Sequence, residues 1–208
     1  MSFRVSNVEA FRQWRDDEDA EIDSLLAKLR GTFQPTPAML AGTAFHKALE
    51  ESKPGDEADT LTALGHTFLI RADISLHIPE IREVRADKAY IVDGSPIRIS
   101  GQLDTISGKQ IEDHKTTARF DPERFIGGYQ WRLYLDIFGA DVFRWNVFEM
   151  SPIEADNMPP NTWEVFAFHQ LSQYRYPGLH ADCQSLVEDF ARFVRSEEAL
   201  IRAMPIAA

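Results

Sequence analysis

Three stretches rich in β-branched and aromatic residues follow one another with only two turn dipeptides between them. This run limits the folds open to the chain more than any other feature. Val84 to Val92, Ile97 to Ile106 and Gln110 to Thr116 are separated by Asp93-Gly94 and Ser107-Gly108. Such pairs provide the residues that tight hairpin turns demand, so the segments are expected as consecutive antiparallel strands. A meander of this kind must bury at least one face, and the flanking sequence has to cover it.

The flanks read mainly as helices. Val5 to Leu29 carries apolar residues at helical spacing, Gly31, Pro35 and Pro37 break the pattern, and Thr36 or Pro37 starts a helix running to about Glu51. After a loop at Ser52 to Asp56, another helix is expected near Glu57 to Leu76. Asp121 followed by Pro122 opens a helix to Phe138, weakened in its first half by Gly127 and Gly128 and stopped by Gly139. Val142 to Glu149 and Trp163 to His169 are two more expected strands, and Ala181 to Ala203 a closing helix. The expectation is one α/β domain over residues 1–208: a helical part to about 78, a core of about 79–170 with a central mixed β-sheet flanked by helices, and the last helix.

Composition narrows the function classes. A formal net charge of −11 would repel a polyanion at long range, so nucleic-acid binding has to rest on a local site. Cys183 is the only cysteine, which excludes an intramolecular disulfide and any metal or cluster site needing several thiolates. No apolar run approaches the roughly 18 residues that cross a bilayer, and no signal-peptide core is present, so the expected location is cytoplasmic. The acidic block Asp16, Asp17, Glu18 and Asp19 is expected as a turn or solvated face, because four adjacent side chains point in different directions.

The chemistry-bearing segment is residues 101–117. With Ser107 and Gly108 as a two-residue turn, Ile106 pairs with Lys109 and Asp104 lies opposite Ile111. Asp104, Asp113 and Lys115 then share one face of the sheet, and Glu112 and His114 share the other. A one-residue bulge would exchange Glu112 for Asp113, although the spacing to Lys115 favours Asp113. Two carboxylates and a lysine on a half-buried face are costly for structure alone, and a bound hard cation removes the conflict. Magnesium or manganese held there would polarise a phosphoryl oxygen and acidify a bound water, with Lys115 stabilising developing negative charge. The reaction class expected from these residues is phosphodiester hydrolysis.

At these residues the sequence resembles the PD-(D/E)XK nuclease superfamily, in its RecB-like and phage lambda-exonuclease-like branches. Asp104 takes the place of the first acid, Asp113-His114-Lys115 that of the D/E-x-K run, and Gln130-Trp-Arg-Leu-Tyr134 that of the following Q-x-x-x-Y helix. Gly42-Thr-Ala-Phe-His46 matches the upstream helix with its histidine. Leu103 stands where the superfamily name has proline, a position that RecB-like members commonly relax.

The resemblance implies a restriction-endonuclease-like core and a magnesium- or manganese-dependent deoxyribonuclease. His46 joins Asp104 and Asp113 as a metal ligand, His114 would contribute only its backbone carbonyl, and Glu83 is a further acidic candidate in competition with Glu80. Gln130 and Tyr134 contact the DNA backbone or organise the site, although bare periodicity would make Tyr134 a core residue with Leu133 and Ile137, and Arg119 and Arg132 are the nearby cations for phosphate, among Lys109 and Arg124. Lambda-type relatives further imply attack on duplex ends in recombination or repair, preferably 5′ to 3′, a single-strand annealing partner and a ring-shaped homo-oligomer. The competing expectations are a structure- or site-specific endonuclease with the same chemistry and a non-catalytic DNA-binding module on the same fold. His66, His77, His169 and His180 have no helpful spacing, and the four tryptophans are expected in the core or at an interface.

Overall fold

A computed structural model describes residues 1–53, 59–71, 74, 81–155 and 157–197. The elements in chain order are β1 (Ser2–Arg4), α1 (Val5–Asp16), α2 (Ile22–Arg30), α3 (Pro37–Glu51), β2 (Thr60–Ala63), β3 (His66–Ile70), β4 (Arg82–Val92), β5 (Ser95–Ser107), β6 (Gln110–Thr117), α4 (Pro122–Ile126), α5 (Gln130–Phe138), β7 (Val142–Pro152), β8 (Thr162–Tyr174) and α6 (Leu179–Ser196). The strands form one mixed eight-stranded sheet in the order β1-β5-β6-β7-β8-β3-β2, with β4 also on β5. The α/β architecture with a central mixed sheet flanked by helices is as the sequence predicts.

The long strand β5 organises the left half of the sheet. β4 lies antiparallel along it from Arg82–Thr105 to Val92–Ser95. Parallel β1 at Arg98–Ser100 and antiparallel β6 at Thr105–Ser107 share the opposite edge. β6 and β7 are parallel over Gln110–Thr117, which requires a crossover, and α4 and α5 provide it. That connection places α5 over the strand that carries Asp113 and Lys115.

Side-chain alternation along β7 divides the interior. Phe143, Trp145 and Val147 enter a cluster with Leu103, Ile111, Leu133, Leu135, Phe190 and residues of α1, α2 and α6. Phe148 and Met150 join Phe45, Phe68 and Val165 under α3. Phe45 meets Phe68 and Phe148 edge-on, with ring centroids 5.2 and 4.9 Å apart. Full burial of each such ring contributes about 1.5–3 kcal/mol, and together the rings seat α3 on the sheet. Thr36 starts α3 by accepting from the Met39 N–H, with Pro37 in the first turn.

Four expectations change. The helix expected at 57–76 is absent from its described part, where β2 and β3 form a hairpin around Leu64 and Gly65, both at positive φ (49° and 76°). The helix expected from 121 to 138 is two helices, because the chain leaves helical geometry at Gly128. The β5–β6 loop is Gly108-Lys109, with Ser107 paired to Gln110, so the register moves by two residues from the predicted one. A two-residue slip preserves sidedness, whereas a one-residue slip would reverse it. Strand β1 has no counterpart in the sequence reading. Of the acidic block, Asp16 ends α1 and Asp17 to Asp19 form an exposed turn, in line with the turn or solvated face expected. The end of the predicted closing helix, residues 198–203, lies outside the described residues, as do His77 and Glu80.

Candidate active site

The ladder between β5 and β6 is recorded only as far as Thr105–Glu112. The next rung would set Asp104 against Asp113. There the His114 backbone N–H donates instead to Oδ2 of Asp104. Leu103 belongs to the core beneath α5, yet Ile106, which pairs with Ile111, packs on that same core. The inward parity of β5 therefore changes between the two, and Asp104 sits in the break. Glu83, opposite this point on β4, is at φ +55° and has no ladder partner.

Asp113 and Lys115 lie in regular strand. The Lys115 ammonium contacts Oδ2 of Asp113, while Gln130 Nε2 on α5 donates to Oδ1 across 3.4 Å. The Lys115 nitrogen lies 5.5 Å from the centre of the Trp145 ring. On the far side of Asp104, Nδ1 of His46 is 3.5 Å from Oδ1. α3 brings this histidine in because Gly42 lets the helix rest on β6. A Cβ at Gly42 would be 2.7 Å from Thr116 Oγ1.

The electrostatics of the two acids diverge. Burial pushes the Asp113 carboxyl above the ordinary carboxylate range; Lys115 counteracts this and the charge of Asp104 adds to it. Burial also raises Asp104, but the hydrogen bond and charge of His46, with His114 and Lys115, outweigh it and hold Asp104 below that range. Desolvation lowers the His114 imidazole to about 4. For Lys115 the two acids overcome burial and raise its pKa. Oδ2 of Asp113 is buried and meets only the Lys115 ammonium, and Nδ1 of His114 is buried without a hydrogen-bond partner.

Several predicted residues fall away from this centre. Glu83 accepts from Gln102 Nε2. Tyr134 stays beside the centre: it is buried, with its hydroxyl donating to the Gln102 carbonyl at 2.8 Å and its ring stacked on Phe143, a place from which it holds β5 next to Asp104. Arg132 stacks on Tyr129 and Trp131 and donates to the Gly128 carbonyl, on a different face of α5 from Gln130. Arg119 is exposed just past the end of β6. Glu112 is held by Asn146 at 2.8 Å and Arg144 at 3.5 Å, which leaves Asp113 as the acid beside Lys115. The His114 side chain, unassigned in the sequence reading, packs 6.2 Å from the His46 ring and 6.0 Å from Phe148.

Among the described residues, no group of three or more His, Cys, Asp or Glu side chains is already arranged to hold a metal ion. The centre is instead two linked halves, His46 with Asp104 and Lys115 with Asp113. Gly101 is a positioning residue that sequence reasoning missed: a Cβ there would meet Tyr134 Cε1 at 2.5 Å. Its signal was a glycine inside a strand pattern, which often marks close approach of another group.

No protein-family model and no curated protein matches the chain. Among solved structures, the chain is similar to the crystal structure of SSO0001 at 16% identity, over 92% of this chain and 76% of that one, with a TM-score of 0.52. It is also similar to an alkaline exonuclease, LHK-Exo, from Laribacter hongkongensis, at 15% identity over 96% of this chain and 91% of that one, with a TM-score of 0.43. At these identities the likeness to SSO0001 bears on the fold alone. Among the described residues, no helix is long and apolar enough to cross a membrane.

Proposed function

We propose that the chain is a divalent-metal-dependent deoxyribonuclease of the PD-(D/E)XK type, with a restriction-endonuclease-like core, that degrades duplex DNA from its ends. One observation carries the reading: Asp104 and Asp113, nine positions apart, are brought onto a single charge cluster with Lys115. Gln130 from the next helix touches the second acid.

The donor set suits a hard cation. Two carboxylates and the His46 imidazole are available, and a buried carboxylate oxygen whose one contact is the Lys115 ammonium keeps lone pairs that a cation would take up. Asp104, Asp113 and His46 would hold magnesium or manganese, which when bound supplies Lewis acidity toward a phosphoryl oxygen and an acidified water. The protein's own groups do the rest. Lys115 carries a full positive charge beside the acids and stabilises negative charge developing on the phosphate. Gln130 holds the orientation of Asp113, and Tyr134 fixes the β5 backbone next to Asp104. Arg119, exposed past the end of β6, would meet the DNA backbone.

Attack on ends, 5′ to 3′ polarity, a recombination or repair role, an annealing partner and a ring-shaped oligomer are carried by the motif resemblance to lambda-type exonucleases. Topological retention by a ring would offset the repulsion between an acidic protein and DNA. The test is incubation of linear, nicked and covalently closed duplexes with magnesium, manganese or calcium, using wild type, Asp113→Ala and Lys115→Ala. Degradation of the linear duplex by wild type alone is the expected result. Cleavage of the closed circle would make the enzyme an endonuclease, and DNA binding without cleavage in any metal would make it a non-catalytic module. End-labelled substrates settle polarity.

A further inference from the structure

Glu9 is a carboxylate on α1 that is only 8% exposed, and it reaches across to the start of α5. Its Oε2 accepts the Tyr129 backbone N–H at 2.8 Å. Its Oε1 accepts from Arg12 Nε at 3.1 Å, from Arg12 Nη2 at 2.9 Å and from Gln13 Nε2 at 3.3 Å. Tyr129 is the N-cap residue of α5 and makes no side-chain cap of its own. Gly128 leaves room for the visitor: a Cβ there would lie 3.3 Å from Glu9 Oε1. An acid in this place satisfies an otherwise orphaned amide and complements the positive end of the helix.

The residue after Tyr129 is Gln130, whose bond to Asp113 is already long at 3.4 Å. One helical turn on, Tyr134 is tied to the Gln102 carbonyl. α5 is thus pinned on either side of Gln130. A shift of a few tenths of an ångström at the Glu9 end takes the Gln130 amide beyond hydrogen-bonding range.

We propose that Glu9 is a positioning residue, which caps α5 from a separate helix and thereby sets Gln130 against Asp113. The inference rests on the nuclease reading for its kinetic consequence. Its structural premise is independent of that reading.

The experiment is a double-mutant cycle of Glu9→Ala and Gln130→Ala, read as kcat and KM for cleavage of linear duplex. It is paired with NMR of the Gln130 side-chain amide in protein without DNA. Glu9→Ala is expected to lower kcat about tenfold with KM little changed, in line with the sensitivity of reactions to misplacement. In the Gln130→Ala background the same substitution should have almost no effect on kcat, and Glu9→Gln, which keeps an acceptor for Tyr129, should restore most of the activity. If Glu9→Ala does not fold, Gly128→Ala, which crowds the carboxylate without removing it, should lower kcat in the same sense and shift the Gln130 amide. An equal loss with and without Gln130, or a Gln130 amide unmoved in Glu9→Ala (in Gly128→Ala if that variant replaces it), overturns the proposal. If wild type cleaves no DNA while the amide still responds, the nuclease reading fails and the link from Glu9 to Gln130 stands.

Discussion

Asp113 and Asp136 are both buried aspartates at helix α5, and they are held in opposite ways. Asp136 accepts from Lys88 Nζ at 2.8 Å and from the Tyr90 hydroxyl at 2.8 Å, and pairs with His180 Nδ1 at 2.9 Å. Burial pushes its pKa up, and these three partners outweigh that and bring it below the ordinary value. Asp113 has one ammonium and one long amide contact, and its pKa goes up. Asp113 is the more deeply desolvated and lies beside the like charge of Asp104, while Asp136 has three donors, and these differences set the opposite signs. A fully partnered charge ties β4, α5 and α6 together. An under-partnered one is where the proposed cation would bind.

Substitutions that leave shape alone test the contrast most sharply. Asp113→Asn is expected to cut the DNA cleavage rate by about a thousandfold, the scale of losing a principal electrostatic group. Asp136→Asn should change that rate only by a small factor. Equal losses in a single-turnover assay would erase the distinction.

The next effect is on stability, with the roles reversed. Asp136→Asn weakens the bond to the buried Tyr90 hydroxyl and should cost about 1–3 kcal/mol in urea unfolding, Lys88 and His180 being exposed enough to turn to water. Asp113→Asn should stay within about 1 kcal/mol, because the Lys115 side chain is 33% exposed and can turn to water. The pH dependence carries opposite signs. Asp136, with its folded pKa lowered, contributes stability that is present above the unfolded carboxylate value and lost as pH falls through the folded one. Asp113, with its folded pKa raised, contributes stability that is present below the unfolded value and lost as pH rises through the folded one. Tm measured against pH should therefore show a flatter acid limb in Asp136→Asn. The Tm of Asp113→Asn should gain on wild type as pH rises through the mildly acidic range.

The last expected effect is thermal. Manganese at about a hundred times its Kd should stabilise wild type by about 2–3 kcal/mol and Asp136→Asn by the same increment, with no shift in Asp113→Asn. A manganese shift that survives in Asp113→Asn would place the cation elsewhere.

What the sequence made legible follows from how local each signal is. The β4–β5–β6 meander was visible because its signals are contiguous: Asp93 and Gly94 take the positive φ values, 50° and 75°, that their types favour. The β2–β3 hairpin was hidden because its turn uses Leu64 at φ 49°, and because β3 is completed by β8 nearly a hundred residues later. The shared cluster of Asp104, Asp113 and Lys115 survived an incorrect turn assignment only because the error was an even number of residues. The break in parity at Asp104 has no local signature. The displacement of Arg132 was legible and overlooked, since two positions from Gln130 is the far side of a helix. The burial of Tyr134 was the alternative that helical periodicity gave, and what the sequence did not show is that Gly101, 33 positions away, leaves the space its ring fills.

The seating of α3 against Thr116 through Gly42 has a mechanical result. Even a methyl group at that joint would have to displace the Thr116 hydroxyl, so α3 lies close on the strand bearing Asp113 and carries the His46 imidazole up to it. An adjustment to admit the proposed ion is open to the amine of Lys115, which has four torsions and a water-facing flank. Such a change is a side-chain swing on a picosecond-to-nanosecond scale, with no call for a closing jaw.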